Sequence, residues 1–501
     1  MQDSKGFLSK VIGSLRRATS EEKEKIDQEL PFAVMVFALM ATSGVSPYDS
    51  WKKLRNLAFL PYFRKEAEEV VRQVEVLGKD PLTVLHQRSE KTQSKLYRNF
   101  LGGFISSVRS GSKTADYLKS ELKAIFEIRH NTLTRSVEKI ATLVEAYTVM
   151  LIVVLCTYIL FVVFSATNMM DMLSQSSISV SPIISYVVAF IFMPVLSLVF
   201  TLIAHNMQRS AFESLKDLYK KAAMIITPIG IAIIVFAFIP SIIEALKPLG
   251  LPEIATIGLA LASLGPAFNY RKISKINYNA EDSIPHFVRD VTESRKIGLS
   301  PEKSIIQATK RKTYGSFSKF LNLMRSQIEW GIPLRKTFSN LQREIRSWFV
   351  KLNIAMMVET IEIGGNSTQS LEILAEYSEK EREVQINRRS LLKPYILLAL
   401  IWSSLVAVTT TIVSLTTGMM TSVVSSSLSS VTTMAMQNQL NLFSVGIIFQ
   451  CWISGFFLGK ISEGNIGAGF QYSTLLTITA YASLVLSQLL LSALFGIPTT
   501  S

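Results

Sequence analysis

The feature that most constrains this chain is the segregation of its charges. Long runs with almost no charged residue alternate with long runs dense in lysine and arginine. A water-soluble core instead distributes its apolar residues at helical or strand spacing. Uncharged apolar runs of about 18 residues or more are typical of helices that cross the roughly 30 Å of hydrocarbon in a bilayer. The sequence therefore predicts a protein that crosses the membrane several times.

Seven apolar runs predict membrane spans, and the fourth is the shortest. They cover residues 143–166, 182–204, 222–246, 251–268, 394–417, 440–460 and 473–495. A further apolar stretch, residues 30–45, is too short to span and is bounded by Pro31 and Gly44. We expect it to form a buried helix of a soluble bundle, with a membrane span as the alternative.

The composition of the loops predicts the orientation in the membrane. Residues 1–142 carry 24 Lys and Arg and residues 269–393 carry 22, whereas the loops 167–181 and 418–439 carry none. Lys and Arg concentrate in cytoplasmic loops. We therefore expect a multi-pass cell-membrane protein with a cytoplasmic N-terminus and an external C-terminus.

These boundaries divide the chain into five parts. A basic N-terminal segment (1–24) precedes a first cytoplasmic helical domain (25–142). Four membrane helices follow (143–268), with a basic cytoplasmic loop at 205–221. A second cytoplasmic helical domain (269–393) and three more membrane helices (394–501) complete the chain.

The two basic segments repeat one pattern. In each, a Pro is followed thirteen residues later by a Gly that opens a Gly-X-Ser-Pro turn. Gly ends a helix in the left-handed conformation, Ser caps the next helix, and Pro occupies that helix's first position. The predicted turn residues are Gly44, Ser46 and Pro47 in the first segment and Gly298, Ser300 and Pro301 in the second.

Further landmarks keep the same register. Residues 78–82 (GKDPL) correspond to 331–334 (GIPL), and Gly111 corresponds to Gly364. Arg129 and Arg382 each follow that glycine by eighteen residues, and Arg135 and Arg388 by twenty-four. Amphipathic spacing between the landmarks predicts helices. The expected fold is an all-α polytopic membrane protein with about seven transmembrane helices and two duplicated cytoplasmic bundles of about six helices each.

Known catalytic and cofactor motifs do not match. The segment Gly111-Ser112-Lys113-Thr114 lacks the glycine spacing of a phosphate loop, and the four histidines lack metal-ligand spacing. We expect no cofactor, no metal, no enzymatic activity and no nucleic-acid binding. Gln450 and Gln488 lie deep in predicted spans, where we expect hydrogen bonds between helices.

The duplicated turns, with the segments Ser110-Gly111-Ser112 and Gly364-Gly365-Asn366, resemble the type II secretion F-domain family. Its members are membrane platform proteins of type II secretion systems, type IV pili and archaella. The resemblance covers roughly residues 25–163 and 281–409, and the extra spans resemble the archaeal branch. The first copy departs from the acidic-glycine pattern, with Arg109 where the second copy has Glu362.

The resemblance implies a non-enzymatic platform that couples a hexameric secretion ATPase to the assembly of pilin- or archaellin-like subunits. It also implies a homodimer, and the basic charge favours anionic lipids. Residues 127–139 and 379–393 are predicted helical struts into the membrane. Their arginines are candidate ATPase contacts: Arg129, Arg135, Arg382 and Arg388. In the alternative interpretation, Arg388, Arg389 and Lys393 only anchor the second strut at lipid headgroups. The alternative function is a secondary transporter or channel with cytoplasmic regulatory domains.

The topology can be tested on the loop 418–439. A cysteine introduced as Ser427→Cys, with Cys156 and Cys451 changed to Ala, should react with a membrane-impermeant thiol reagent in intact cells. A matched cysteine at Ser112, in the first basic segment, should react only after lysis. Protection of the first cysteine and labelling of the second in intact cells would reverse the orientation.

Overall fold

The structure of this protein is a computed structural model, and it is almost entirely helical. It describes residues 2–171 apart from 58 and 112, residues 187–207, residues 250–424 apart from 346 and 364–366, and residues 430–495. No β-strand occurs within these residues. The predicted all-α class is confirmed.

The first basic segment forms six α-helices over the described residues. They are α1 (Gln2–Thr42), α2 (Pro47–Leu54), α3 (Pro61–Glu75), α4 (Pro81–Lys91), α5 (Lys95–Arg109) and α6 (Thr114–Asp171). A π-helical turn (Val188–Phe192) then leads into α7 (Met193–Met207).

The second basic segment repeats this order. Its helices are α8 (Leu251–Lys296), α9 (Pro301–Thr309), a 3-10 turn (Lys312–Phe317), α10 (Ser318–Glu329), α11 (Leu334–Glu344), α12 (Trp348–Ile363) and α13 (Ser367–Val424). The chain continues in α14 (Ser430–Glu463), a 3-10 turn (Ile466–Ala468) and α15 (Gly469–Phe495).

The described residues form two compact units. Unit 1 contains residues 2–134 and 275–386, and unit 2 contains residues 135–207, 250–274 and 387–495. Both repeats therefore lie in unit 1, where Phe37 and Phe104 of the first repeat and Phe287 and Leu321 of the second belong to one hydrophobic core.

Six described helices are long and apolar enough to cross a membrane. They overlap six of the predicted spans, namely those at 143–166, 182–204, 251–268, 394–417, 440–460 and 473–495, and the second of these spans is described only from residue 187 onward. The remaining predicted span, 222–246, lies outside the described residues. The polytopic, all-α architecture is thus confirmed.

The apolar stretch at 30–45 lies in α1, and residues 30 and 32–40 are buried in the core of unit 1. It is therefore the buried helix of a bundle that the sequence predicted. One expectation was wrong: Pro31 does not bound the helix, because α1 continues through it. A proline inside a helix costs roughly 3 kcal/mol, which burial of several large apolar side chains at roughly 1.5–3 kcal/mol each outweighs.

The duplicated turns have the same geometry in both repeats. Gly44 has φ +82° and Gly298 has φ +90°. In each turn the next residue's N–H bonds five residues back, from Val45 to Met40 and from Leu299 to Ser294, as at many helix ends. Ser46 and Ser300 cap the following helices, which start at Pro47 and Pro301. Gly111 has φ +65°, and Gly364 lies outside the described residues.

A second contact is also duplicated, several turns before the end of each of these helices. The hydroxyl of Ser94, which caps α5, donates to Asp27 on α1. At the equivalent position Ser347, beside α12, donates to Glu281 on α8 at 2.7 Å. An acid on the first helix therefore fixes the start of the fifth helix in each repeat.

The strain at Gly298 can be measured against a matched glycine. An added Cβ would meet nothing within 4 Å at Gly298 or at Gly102, which lies inside α5, so only the backbone conformation distinguishes the sites. Gly298→Ala should lower the free energy of unfolding by about 1–2 kcal/mol, because L-residues are disfavoured at positive φ. Gly102→Ala should raise it by up to about 1 kcal/mol. Equal effects in denaturant titrations of the detergent-purified protein would contradict the turn assignment.

Candidate functional site

The site predicted from sequence lies where α6 and α13 leave unit 1. Arg129 on α6 and Glu381 on α13 form a two-point ion pair there, with N–O distances of 2.9 and 3.1 Å. The two side chains are only 18% and 6% exposed. The pair therefore ties together the corresponding helices of the two repeats.

Burial raises the pKa of the Glu381 carboxyl, but the Arg129 guanidinium and a hydrogen bond from Gln385 together outweigh this effect and hold the pKa below its usual value. Glu381 is therefore ionised at neutral pH. Removing one partner of a buried pair leaves an uncompensated charge, at a cost of roughly 3–5 kcal/mol. The Arg129 guanidinium also lies 4.9 Å from the centre of the Phe32 ring, which ties α1 to the same point.

Aromatic contacts extend this junction between the repeats. Phe126 of α6 lies 4.6 Å from Tyr377 of α13, measured between ring centres. Trp348, at the start of α12, packs edge-on against Phe32 at 4.6 Å and donates its indole N–H to the Phe59 carbonyl at 3.0 Å. We call Phe32, Arg129, Trp348 and Glu381 the repeat junction.

A cleft of about 340 Å³ opens beside the junction between α6 and α13. Charges of both signs line it: Lys123, Glu127, Lys380 and Glu383, with His130 beside them. Over the described part of the chain, no group of three His, Cys, Asp or Glu residues could hold a metal ion. The repeat junction joins two long helices, α6 and α13, through a buried ion pair.

The structure does not bring the four candidate arginines together. Arg382 binds Asp282 on α8 and Glu379 on its own helix, each at 2.8 Å. Arg135 is exposed in unit 2. Arg388 is half-buried, also in unit 2, and lies against Gly464, where an added Cβ would come within 2.6 Å of its Nη2. Arg129 and Arg382 thus have internal partners, and the role of all four as ATPase contacts stays a prediction.

Sequence reasoning did not identify the residues that Arg129 contacts. Arg129 was singled out by its spacing from Gly111, but Glu381, 252 residues away, was not. Phe32 and Trp348 were also missed, although a Trp at the start of a helix in a repeat is a signal for a packing anchor. The spacing identified positions but gave no information on which of them meet.

The polar residues of the predicted spans pack within unit 2. Gln450 on α14 is buried and donates to Ser197 on α7 at 2.6 Å. The Tyr147 hydroxyl on α6 lies 2.9 Å from Ser197 and 2.8 Å from Ser454. Gln450 therefore makes the predicted hydrogen bond between helices, whereas Gln488 is exposed and does not support that prediction.

Comparison with known families decides the class. Residues 33–162 and 287–415 each match the family described as Type II secretion system (T2SS), protein F, and together they make up just over half of the chain. The chain belongs to this family. Each match starts in the first or second turn after the repeat's proline and runs through α6 or α13 into a membrane span.

Membership of the T2SS protein F family makes this a multi-pass membrane protein of the platform class found in type II secretion and type IV filament machines. An uncharacterized protein of Methanocaldococcus jannaschii is 22% identical over 502 residues, covering 95% of this chain and 82% of the relative. No solved structure matches the chain.

The repeat junction can be tested by charge removal and exchange. Arg129→Ala should lower the free energy of unfolding by about 3–5 kcal/mol, because Glu381 would stay buried without its partner. The exchange Arg129→Glu with Glu381→Arg should recover part of that loss. Chemical denaturation of the purified protein in detergent gives both values.

A matched control is Arg72→Ala, which breaks the pair between Arg72 and Glu69 on the surface of α3. The Arg72 side chain is 61% exposed, so the change should cost less than about 1 kcal/mol. A junction mutant as stable as this control would show that the buried pair contributes nothing.

Proposed function

We propose that this protein couples a cytoplasmic hexameric secretion ATPase to the assembly of pilin- or archaellin-like subunits in the membrane. The observation that supports this most directly is the repeat junction. It joins the two helices that continue from the shared cytoplasmic core into membrane spans. A displacement of either repeat is therefore passed to both helices together.

Helix continuity supports a mechanical role. α6 and α13 contain 58 residues each, which is about 87 Å of helix at 1.5 Å per residue. α13 continues without a break through Pro394, at the predicted start of its span. An unbroken helix transmits tilt or rotation from one end to the other, whereas a flexible linker of the same length absorbs it.

The remaining parts of the proposal rest on charge and family membership. The basic repeats face the cytoplasm, where they meet anionic lipid headgroups. The membrane helices of unit 2 receive the pilin-like subunits, and two copies of the platform form the working assembly. Exposed Arg135 is the member of the four arginines best placed to contact a partner.

Four glycines inserted after Asn387 should separate coupling from binding. This position lies in α13 between unit 1 and the predicted span, and glycine is a poor helix former. The variant should bind the purified ATPase as well as wild type, because unit 1 is unchanged, but should not restore surface filaments to a deletion strain. Filament counts by electron microscopy and binding by co-purification measure the two effects.

The matched control is the same insertion after Ser427, in the predicted external loop, which should leave filaments intact. Normal filaments with the Asn387 insertion would exclude coupling through α13. A wild-type protein that does not bind the ATPase, or a deletion strain with normal filaments, would overturn the proposed function itself.

A further inference from the structure

The glycine turns of both repeats lie at one end of unit 1. Ser370, at the start of α13, donates to the Leu39 carbonyl at 3.2 Å and lies 3.1 Å from the Ser43 hydroxyl, both at the end of α1. Lys296, at the end of α8, binds Glu372 near the start of α13 at 2.7 Å. The turns after α1 and α8 are therefore neighbours, at the end where α13 begins.

The turns after α3 and α10 lie at this same end. Lys52 of α2 binds Glu75 at the end of α3 at 2.8 Å. Arg335, in the first turn of α11, binds Glu362 near the end of α12 at 2.6 Å. The repeat junction lies at the opposite end, where α6 and α13 leave the unit.

Among the residues whose side-chain exposure the structure describes, the most exposed large apolar side chains of unit 1 all lie at these turns. They are Trp330 (84% exposed), Ile297 (82%), Val76 (74%) and Leu77 (55%). Trp330 and Leu77 occupy equivalent places in the two repeats, since each directly precedes a positive-φ glycine, Gly331 or Gly78. We call these four residues the turn face.

The turn face is held in position rather than loosely attached. The N–H groups of Gly331 and Ile332 bond back to Ile328 and Gln327 at 2.9 and 3.0 Å, which fixes the turn that carries Trp330. A tryptophan carried on a fixed turn has little backbone freedom to lose on binding, and tryptophan is enriched among residues that dominate protein interfaces. These features favour a protein partner with apolar pockets.

The net charge of unit 1 favours an acidic partner. The predicted cytoplasmic segments have 24 basic against 17 acidic residues and 22 against 14. The turns themselves carry both signs, since exposed Lys79 and Lys303 stand next to exposed Asp80 and Glu302. A partner with a net acidic surface complements the basic excess of the unit as a whole.

The lengths of the helices argue against a lipid bilayer as the occupant. α6 has 29 residues between Thr114 and the start of its predicted span at residue 143, or about 43 Å of helix. α13 has 27 residues between Ser367 and Pro394, or about 40 Å. The turn face lies at the beginning of both helices.

We infer that the turn face is the docking surface for the secretion ATPase, with Trp330 and Leu77 inserted into apolar pockets on an acidic surface. This inference rests on the proposed function and names the surface through which it acts. It moves the principal contact from the arginines of the helical struts to the opposite end of unit 1.

The test uses the full-length protein in nanodiscs of phosphatidylcholine and phosphatidylglycerol, titrated with the purified secretion ATPase from the same cells. Trp330→Ala should weaken binding at least about tenfold, since central tryptophans dominate interface energies. Leu77→Ala should weaken it less, because leucine has the smaller side chain. The matched control is Leu323→Ala, which removes a 49% exposed leucine from α10 and should leave the affinity unchanged.

Fluorescence reports the contact directly. The emission of Trp330, taken as the difference between wild type and Trp330→Phe, should shift to shorter wavelength when the ATPase binds. The docking surface would be overturned if Trp330→Ala bound the ATPase as tightly as wild type and the Trp330 emission did not shift on binding. The proposed function would then still stand. Absence of binding by wild type would overturn both.

Two further outcomes would also overturn this inference. Quenching of Trp330 by brominated phosphatidylcholine vesicles without the ATPase would make the occupant a bilayer. Efficient cross-linking between two copies of the Trp330→Cys variant, in a yield that added ATPase or nucleotide does not reduce, would make the occupant a second copy of the chain.

Discussion

α6 and α13 each pass from unit 1 into a membrane span, and the rest of the structure depends on this constraint. α6 and α13 begin in a charged, water-soluble unit and continue into membrane spans. In hydrocarbon the backbone has no water to bond, so each helix must stay unbroken through the span. Their soluble ends are held by Arg129, Glu381 and the shared core. Both helices are therefore continuous from the core of unit 1 into their spans.

The two repeats share the contacts that fix their helices but differ in one segment. Asp27 with Ser94 and Glu281 with Ser347 fix the fifth helix of each repeat in the same way. The acidic-glycine segment differs: Glu362 in the second repeat is paired with Arg335, whereas the equivalent positions of the first repeat are Arg109 and Thr83. The ion pair is therefore a feature of the second repeat, and an exposed pair of this kind contributes little to stability.

The sequence predicted what depends on neighbouring residues. Positive φ at Gly44 and Gly298, the caps at Ser46 and Ser300, and the apolar spans all follow from local chemistry. It did not predict contacts between residues far apart in the chain, such as Arg129 with Glu381 or Trp348 with Phe59, because helical periodicity identifies a buried face but not what covers it. Pro31 was misread for a related reason: its local preference to end a helix is overridden by the burial of α1.

The last two helices form a hairpin whose position within unit 2 is set by its neighbours. α14 and α15 pack backbone against backbone, since a Cβ added at Gly455 would lie 2.3 Å from the Ser473 Cα. Such close approach of small residues makes the pair a single rigid body. Its connecting turn is held from both sides: Tyr270 on α8 donates to Glu463 at 2.7 Å, and Arg388 on α13 lies against Gly464. The parts of α8 and α13 that lie in unit 2 therefore also position this hairpin, through side chains that flank the second repeat in the chain.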